Sequence, residues 1–320
     1  MPQLRVANQT NGNGTRPKPP LDVAVIIVSW NVRHYLAECL KSVLADFRHS
    51  NLLGKIWLVD NASTDGSVDL VETLFQNVEV IANRDNLGFG AANNQGMRAA
   101  AADNPRHYLL LNPDTVVRPG AIGHMVGWMD INPEVGMVGS RLVYGDGRLQ
   151  HSAFHFPGLR QLLFEFLPFP LRFYNTALNG RYAARKFNKS FKPFKVDHPL
   201  GAAMLVRRNV ADATGGFDEA FHMYCEEIDW AWRITLAGWE IYTVPSAEIV
   251  HFGGESTKQI PAASIINLWK SRHQLYSKYY TEWHMRFAKL LVQNGLERRA
   301  IRAPTTELTN AYRKAASFWK

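Results

Sequence analysis

The sequence predicts an α/β fold with a mostly parallel central sheet, followed by C-terminal amphipathic helices. Three observations carry that expectation. Short apolar, β-branched runs alternate with stretches of helical spacing from residue 23 to residue 111. The runs are continuously apolar, as strands covered on both faces are. Polar clusters follow three of them, at the strand ends where open sheets hold ligands.

The elements follow in order. Val23 to Ser29 is an apolar, β-branched strand. Tyr35, Leu36, Cys39, Leu40, Val43 and Leu44 then recur at helical spacing. Ile56 to Val59 is a second strand, ending at Asp60. Ser63-Thr64-Asp65-Gly66-Ser67 can cap a helix running towards Phe75. Val78 to Ala82 is a third strand, Ala91 to Ala102 a helix, and Tyr108 to Leu111 a fourth strand that ends at Asn112-Pro113-Asp114. After residue 150 the pattern changes. Residues 154–194 hold eleven aromatics together with Pro157, Pro168, Pro170 and Pro193, which exclude one long straight helix. Ala202 to Val206 and Ile241 to Val244 are further strands, and a turn from Phe217 leads into a helix ending near Trp239. From Ile265 to Leu291, apolar residues recur at helical spacing with basic residues between them. The chain beyond Glu297 is polar and gives no packing signal.

A chain of 320 residues, 46% hydrophobic and 20% charged, has ordinary globular composition. Its net charge of +8 first suggests nucleic acid or an anionic membrane. The charge is unevenly placed. Residues 160–195 carry eight basic and one acidic side chain, and residues 270–314 carry ten and three. Between them, residues 196–269 carry four basic and ten acidic side chains. Basic residues interleaved with aromatics read as interfacial segments on anionic lipid, with single-stranded nucleic acid the weaker reading. Two cysteines make no disulfide framework and suggest a reducing compartment. Residues 1–21 read as a disordered leader, and no run of 18 apolar residues occurs. A cytoplasmic protein, peripheral on the inner face of the membrane, is expected.

Chemistry-bearing residues gather in six places. Ser29-Trp30-Asn31, Asp60-Asn61-Ala62-Ser63 and Asn112-Pro113-Asp114 end strands. Asn86-Leu87-Gly88-Phe89-Gly90 opens a helix, but a dinucleotide fingerprint would need a third glycine at Asn93. Glu226, Glu227 and Asp229 crowd three carboxylates at a helix start among Met223, Tyr224 and Trp230. Such crowding raises one pKa, as a general base requires. His251 ends a strand-like segment and can join carboxylate and phosphate oxygens around a borderline cation.

In this order, these segments closely resemble the inverting nucleotide-sugar glycosyltransferases of family 2, which have the GT-A fold. Further matching segments are Gly201-Ala-Ala-Met204, Gly215-Gly-Phe-Asp-Glu219 and His251-Phe-Gly-Gly254, and the match runs from about residue 23 to 255. The closest likeness is to the rhamnosyltransferase-like branch that builds bacterial surface polysaccharides. The resemblance implies a Rossmann-like GT-A domain over residues 22–258, with the basic aromatic insertion at about 154–195, an amphipathic helical region at 259–300 and a polar tail at 301–320.

It also implies roles. Asp60 would accept a hydrogen bond from the base, and Ser29 and Asn31 would line the nucleotide pocket. Asn86, Gly88 and Asn93 would shape the pocket around ribose and diphosphate. Asn112 and Asp114 stand at the ends of the family's Asp-x-Asp motif, leaving one carboxylate to hold Mg²⁺ or Mn²⁺ with His251. Glu227 takes the base position, with Asp229 the alternative and Glu226 a poorer one. The implied partners are a nucleotide-sugar donor, with dTDP-rhamnose favoured over UDP-sugars, and a saccharide or polyprenyl-diphosphate-linked acceptor at an anionic membrane. Nucleic acid is not implied. A sugar-phosphate nucleotidyltransferase is the alternative enzyme, although Ser29-Trp30-Asn31-Val32-Arg33 lacks the glycines of its loop. A non-catalytic GT-A protein that binds membrane or polyanion is the other alternative.

Overall fold

A computed structural model describes residues 20–188, 192–254 and 259–320. Most of the leader expected at residues 1–21 lies outside the described residues, as do Glu255 and Ser256. The chain opens β1 (Val23–Ser29), α1 (Arg33–His49), β2 (Gly54–Asp60), α2 (Ser67–Leu74), β3 (Val78–Ala82), α3 (Phe89–Ala100) and β4 (His107–Leu111). It continues β5 (Thr115–Val117), α4 (Ala121–Ile131), β6 (Val135–Val143), β7 (Leu149–Gln150), β8 (Ala153–Phe154) and α5 (Leu159–Phe166). Then come α6 (Arg185–Asn188), β9 (Phe194–Lys195), β10 (His198–Pro199), β11 (Ala203–Arg207), α7 (Arg208–Thr214) and α8 (Glu226–Leu236). It closes with β12 (Glu240–His251), α9 (Pro261–Tyr279), α10 (Glu282–Ile301) and α11 (Thr306–Ser317).

The main sheet runs β3-β2-β1-β4-β11-β6-β12-β5. Its first four strands are parallel. β11 then runs antiparallel to both β4 and β6, while β12 returns parallel to β6. The sheet is therefore mixed, with its parallel half at the chain's start. β1 is buried on both faces. Val23, Val25 and Ile27 pack with Leu36, Leu40 and Val43 of α1, whereas Ala24 and Ile26 pack with Met97 of α3 and Trp230 of α8. This two-sided cover is why the strand reads as an unbroken apolar run.

Register sets the site. Ser29 pairs with Asp60 across β1 and β2, and Ile27 pairs with Leu111 of β4. The polar residues that end these strands therefore emerge along one edge. β12 skips register between Val244 and Glu248, then pairs His251 with Thr115 of β5. The skip explains why its sequence reads as two separate strand segments.

A third core stands apart from the sheet. Leu162 of α5 meets Trp269 and Tyr276 of α9, Val292 and Leu296 of α10, and Trp319. α5 ends at Phe166, ahead of Pro168. Gly295 lets α10 lie directly on the Phe166 ring, where an added Cβ would overlap the ring carbons. The polar stretch after residue 301 forms α11, held by the buried Ala311 and Ala315 and by Trp319, whose Nε1 donates to the Trp269 carbonyl at 3.0 Å.

Candidate active site

The β1 and β2 ends are laced together. Asn31, at φ 52°, donates its N–H to Ser63 Oγ at 2.9 Å and accepts from the Thr64 N–H at 2.8 Å. Asp65 serves two helix starts. Its Oδ2 accepts from the Arg33 N–H and its Oδ1 from the Ser67 N–H and hydroxyl. Such side-chain acceptors replace the missing partners of first-turn N–H groups. Asp60 Oδ2 accepts from the Ser63 N–H at 2.8 Å. Asp60 Oδ1 and Ser29 Oγ are buried and have no partner among the described residues. A buried carboxylate oxygen without a partner is costly and points to a ligand donor.

Asn86 shapes the next loop by accepting from the Gly88 N–H at 3.0 Å and from Asn61 Nδ2 at 3.3 Å. Gly88 has φ +88°, and a Cβ there would collide with the His222 carbonyl oxygen. Asn93 is buried one turn into α3, where its Nδ2 donates to the Phe89 carbonyl at 2.9 Å. It braces the helix and does not reach the cleft below.

Asp114, Asn112 and His251 meet at the β4 and β12 ends. His251 Nε2 is 3.3 Å from Asn112 Nδ2 and 3.4 Å from Asp114 Oδ1. Its Nδ1 faces Gln150 Oε1 at 2.9 Å. With the Nδ1 proton donated to Gln150, Nε2 is the acceptor nitrogen, and Asn112 Nδ2 and Asp114 Oδ1 both lie beside it. Asp114 Oδ2 accepts from the Gly253 N–H at 3.1 Å. Among the described residues no cluster of three His, Cys, Asp or Glu groups forms a complete metal cage. One carboxylate with one imidazole suits a Mg²⁺ or Mn²⁺ whose remaining ligands are substrate phosphates and water. Sequence reasoning missed Gln150, because a two-residue strand carries no pattern.

The three carboxylates of α8 separate sharply. Tyr224 and Cys225 both have positive φ, 70° and 67°, a strained entry for residues with a Cβ. Glu226 is buried and its Oε2 has no partner. Burial, reinforced by the neighbouring Glu227 charge, raises its pKa well above the carboxylate range. Glu227 is half-buried, and desolvation pushes its carboxyl up to about 7. Asp229 is fully buried and fully engaged. Arg233 Nε donates to it at 2.8 Å, Tyr279 Oη at 2.8 Å and Lys278 Nζ at 2.7 Å. It ties α8 to α9 and does not line the cleft.

A cleft of about 270 Å³ collects Asn61, Asn86, Asn112, Asp114, Glu226, Glu227 and His251 beside Trp30 and Tyr224. Ser29, Asn31, Asp60 and Gly88 are not among the residues that line it. A second cleft of about 320 Å³ abuts it. Leu200, Tyr224 and Glu227 line both, so Glu227 stands between the two spaces.

The comparisons decide the family. Residues 24–212, more than half of the chain, match the model of glycosyl transferase family 2. The chain belongs to glycosyl transferase family 2. This glycosyltransferase is 30% identical over 273 residues to the N-acetylglucosaminyl-diphospho-decaprenol L-rhamnosyltransferase of Mycobacterium tuberculosis, covering 81% of this chain and 85% of the relative. A 57-residue stretch, 18% of this chain and 22% of that protein, is 40% identical to the rhamnosyltransferase WbbL of Escherichia coli K12. Among solved structures, S. aureus TarS matches with a TM-score of 0.52 at 15% identity, over 93% of this chain and 90% of TarS. The Pyrobaculum calidifontis mannosyltransferase PcManGT, solved with GDP-Man and Mn²⁺, matches with a TM-score of 0.55 at 15% identity, over 95% and 86%. These structural likenesses give the glycosyltransferase the GT-A fold.

Proposed function

We propose that the chain transfers rhamnose from dTDP-rhamnose to a polyprenyl-diphosphate-linked saccharide, with inversion at the anomeric carbon. The observation that carries this reading is Glu227, half-buried with a carboxyl pushed up to about 7, on the wall common to two clefts. A group so poised takes up a proton near neutral pH. The sugar and acceptor are those of the mycobacterial relative. The sugar nucleotide occupies the first cleft, with Asn86 on its wall for the ribose, and its base reaches the unpartnered Asp60 Oδ1 and Ser29 Oγ by opening the β1 and β2 ends beside the cleft. Asn93 acts through α3 rather than by contact.

Glu227 carboxylate removes the proton of an acceptor hydroxyl presented from the second cleft. The freed oxygen forms its bond to the anomeric carbon as the bond to the diphosphate oxygen breaks on the opposite face. Glu226 sits beside the base with its carboxyl raised well above the usual range by burial and by the Glu227 charge. Asp114 and His251, with Asn112 beside them, would hold Mg²⁺ or Mn²⁺. When bound, that ion offsets the charge building on the leaving diphosphate.

No helix among the described residues is long and apolar enough to cross a membrane. Contact with anionic lipid at the inner membrane face is assigned to α10. Trp283, Phe287 and Leu290 are exposed on one face of it, beside Arg286 and Lys289. Aromatic and basic side chains on one stripe suit the headgroup layer.

A donor panel tests the proposal. Purified protein is given dTDP-rhamnose, UDP-sugars and GDP-sugars, with and without Mn²⁺ or Mg²⁺, and nucleoside diphosphate release is followed. Release from dTDP-rhamnose that depends on the cation is expected. Preference for another donor would overturn the rhamnose assignment, and absence of release from every donor would overturn the transferase reading.

A further inference from the structure

The second cleft lies between the aromatic insertion and the helices α8 and α9. Its walls include Gln161 and Glu165 of α5, Arg181, Leu268 and Arg272 of α9, and the shared Glu227. Arg181 is half-buried, and burial lowers its pKa from the ordinary guanidinium value. It donates to Asn175 Oδ1 at 2.7 Å, and among the described residues it makes no ion pair with a carboxylate. A desolvated guanidinium without a counter-ion favours an anionic ligand, and its planar fork fits phosphate oxygens.

Arg272 is also half-buried, stacked 4.7 Å over the Trp269 ring. It meets Glu165 at 3.6 Å, but Arg299 holds the same carboxylate more closely, at 2.7 Å. Although burial works against it, the two arginines keep the Glu165 carboxyl below its usual range. His198, on the same cleft, is pushed down to about 4 by burial and brings no charge near neutral pH. Two arginines, Arg181 and Arg272, and two carboxylates, Glu165 and Glu227, line this cleft, and Arg181 is paired with neither carboxylate among the described residues.

Glu165 is the hinge to a third space. A broad groove of about 830 Å³ begins at Glu165 and runs between α5, α10 and α11. Phe166, Leu167, Pro168, Leu308 and Tyr312 give it an apolar lining, and Arg298, Arg299 and Arg302 line it as well. The order along the surface is therefore base, arginines, apolar groove. An alkyl diphosphate carrying a sugar has the same order.

We propose that Arg181 and Arg272 bind the diphosphate of the acceptor, and that the groove beyond Glu165 receives its first isoprene units. This rests on the transfer reading for the identity of the acceptor. It adds a recognition site that distinguishes a diphosphate-linked saccharide from the same saccharide on a neutral carrier.

The test is a calorimetric titration of the full chain with geranyl diphosphate at about 50 mM salt. Geraniol and inorganic diphosphate are titrated in parallel. Geranyl diphosphate is expected to bind more tightly than either fragment. Arg181→Gln should weaken it by about tenfold or more, as loss of one charge-assisted contact does. Arg181→Lys should fall between the two, keeping charge but losing the fork. Asp114→Ala, in the first cleft, should bind geranyl diphosphate like the unaltered chain. Circular dichroism of each variant reports its folding. No binding by the unaltered chain, undiminished binding by folded Arg181→Gln, or weaker binding by Asp114→Ala would each overturn the proposal. Failure of the transfer reading shows elsewhere, as no nucleoside diphosphate release from any sugar donor.

Discussion

Replacing Glu227 by Gln should trade activity for stability, and the trade should depend on pH. Desolvation raises the Glu227 carboxyl from 4.5 to about 7. At about 1.4 kcal/mol per pH unit, holding it ionised in the folded chain costs about 3 kcal/mol well above pH 7. The sign follows from the raised folded-state value. The neutral carboxyl contributes its full stability below about pH 4.5, and that contribution is lost as pH rises through about 7. Gln cannot ionise, so Glu227→Gln should gain on the unaltered chain as pH rises. About 2.5 kcal/mol of relative gain should accrue between pH 5 and pH 8.5. Urea unfolding of both proteins across that range measures it. The same substitution should lower kcat by about 10² to 10⁴, the usual contribution of a positioned base. In the unaltered enzyme, kcat/KM should fall as pH drops below about 7. A stability difference flat in pH, or a kcat within about twofold of the unaltered enzyme, would refute the reasoning.

Asp229→Asn should act in the opposite way. It weakens the buried pairing with Arg233 and Lys278, so stability should drop by about 3–5 kcal/mol while kcat per folded molecule stays within about tenfold. A stable variant with kcat reduced as in Glu227→Gln would move the base to Asp229. Asp114→Ala should abolish the Mn²⁺ dependence of donor binding measured by calorimetry, and unchanged dependence would remove Asp114 from the cation site. Gly88→Ala forces a Cβ into the His222 carbonyl at φ +88°. Its Tm should fall by several degrees, and an unchanged Tm would show that the loop moves freely. Replacing Trp283 and Phe287 by Ser should reduce flotation with anionic vesicles without lowering Tm, and equal flotation would discount α10 as the contact.

The parallel half of the fold was legible because β1, β2 and β4 are covered on both faces, leaving unbroken apolar runs. The edge residues Asp60, Asn112 and Asp114 were legible for a related reason, since register brings the ends of such strands together. β12 was read as two pieces because its register skip interrupts the pattern. α11 gave no signal because it buries alanines and relies on Trp319, just past its end. Glu227 and Asp229 differ in the sequence only by position. Their partners tell them apart: the side chains of Arg233, Tyr279 and Lys278 hold Asp229, whereas backbone N–H groups at its own helix start are what the Glu227 carboxyl meets. The second cleft had no sequence signature, since its walls come from segments more than a hundred residues apart.

The third core gives the two clefts separate foundations. The first cleft stands on the sheet, whereas the outer wall of the second rests on helices braced by Trp319. On the proposed assignment of donor and acceptor to the two clefts, trimming the last residues is expected to leave sugar-nucleotide hydrolysis while acceptor use fails. On the same assignment, exchanging α5 and the closing helices is expected to change acceptor preference with the donor cleft left intact.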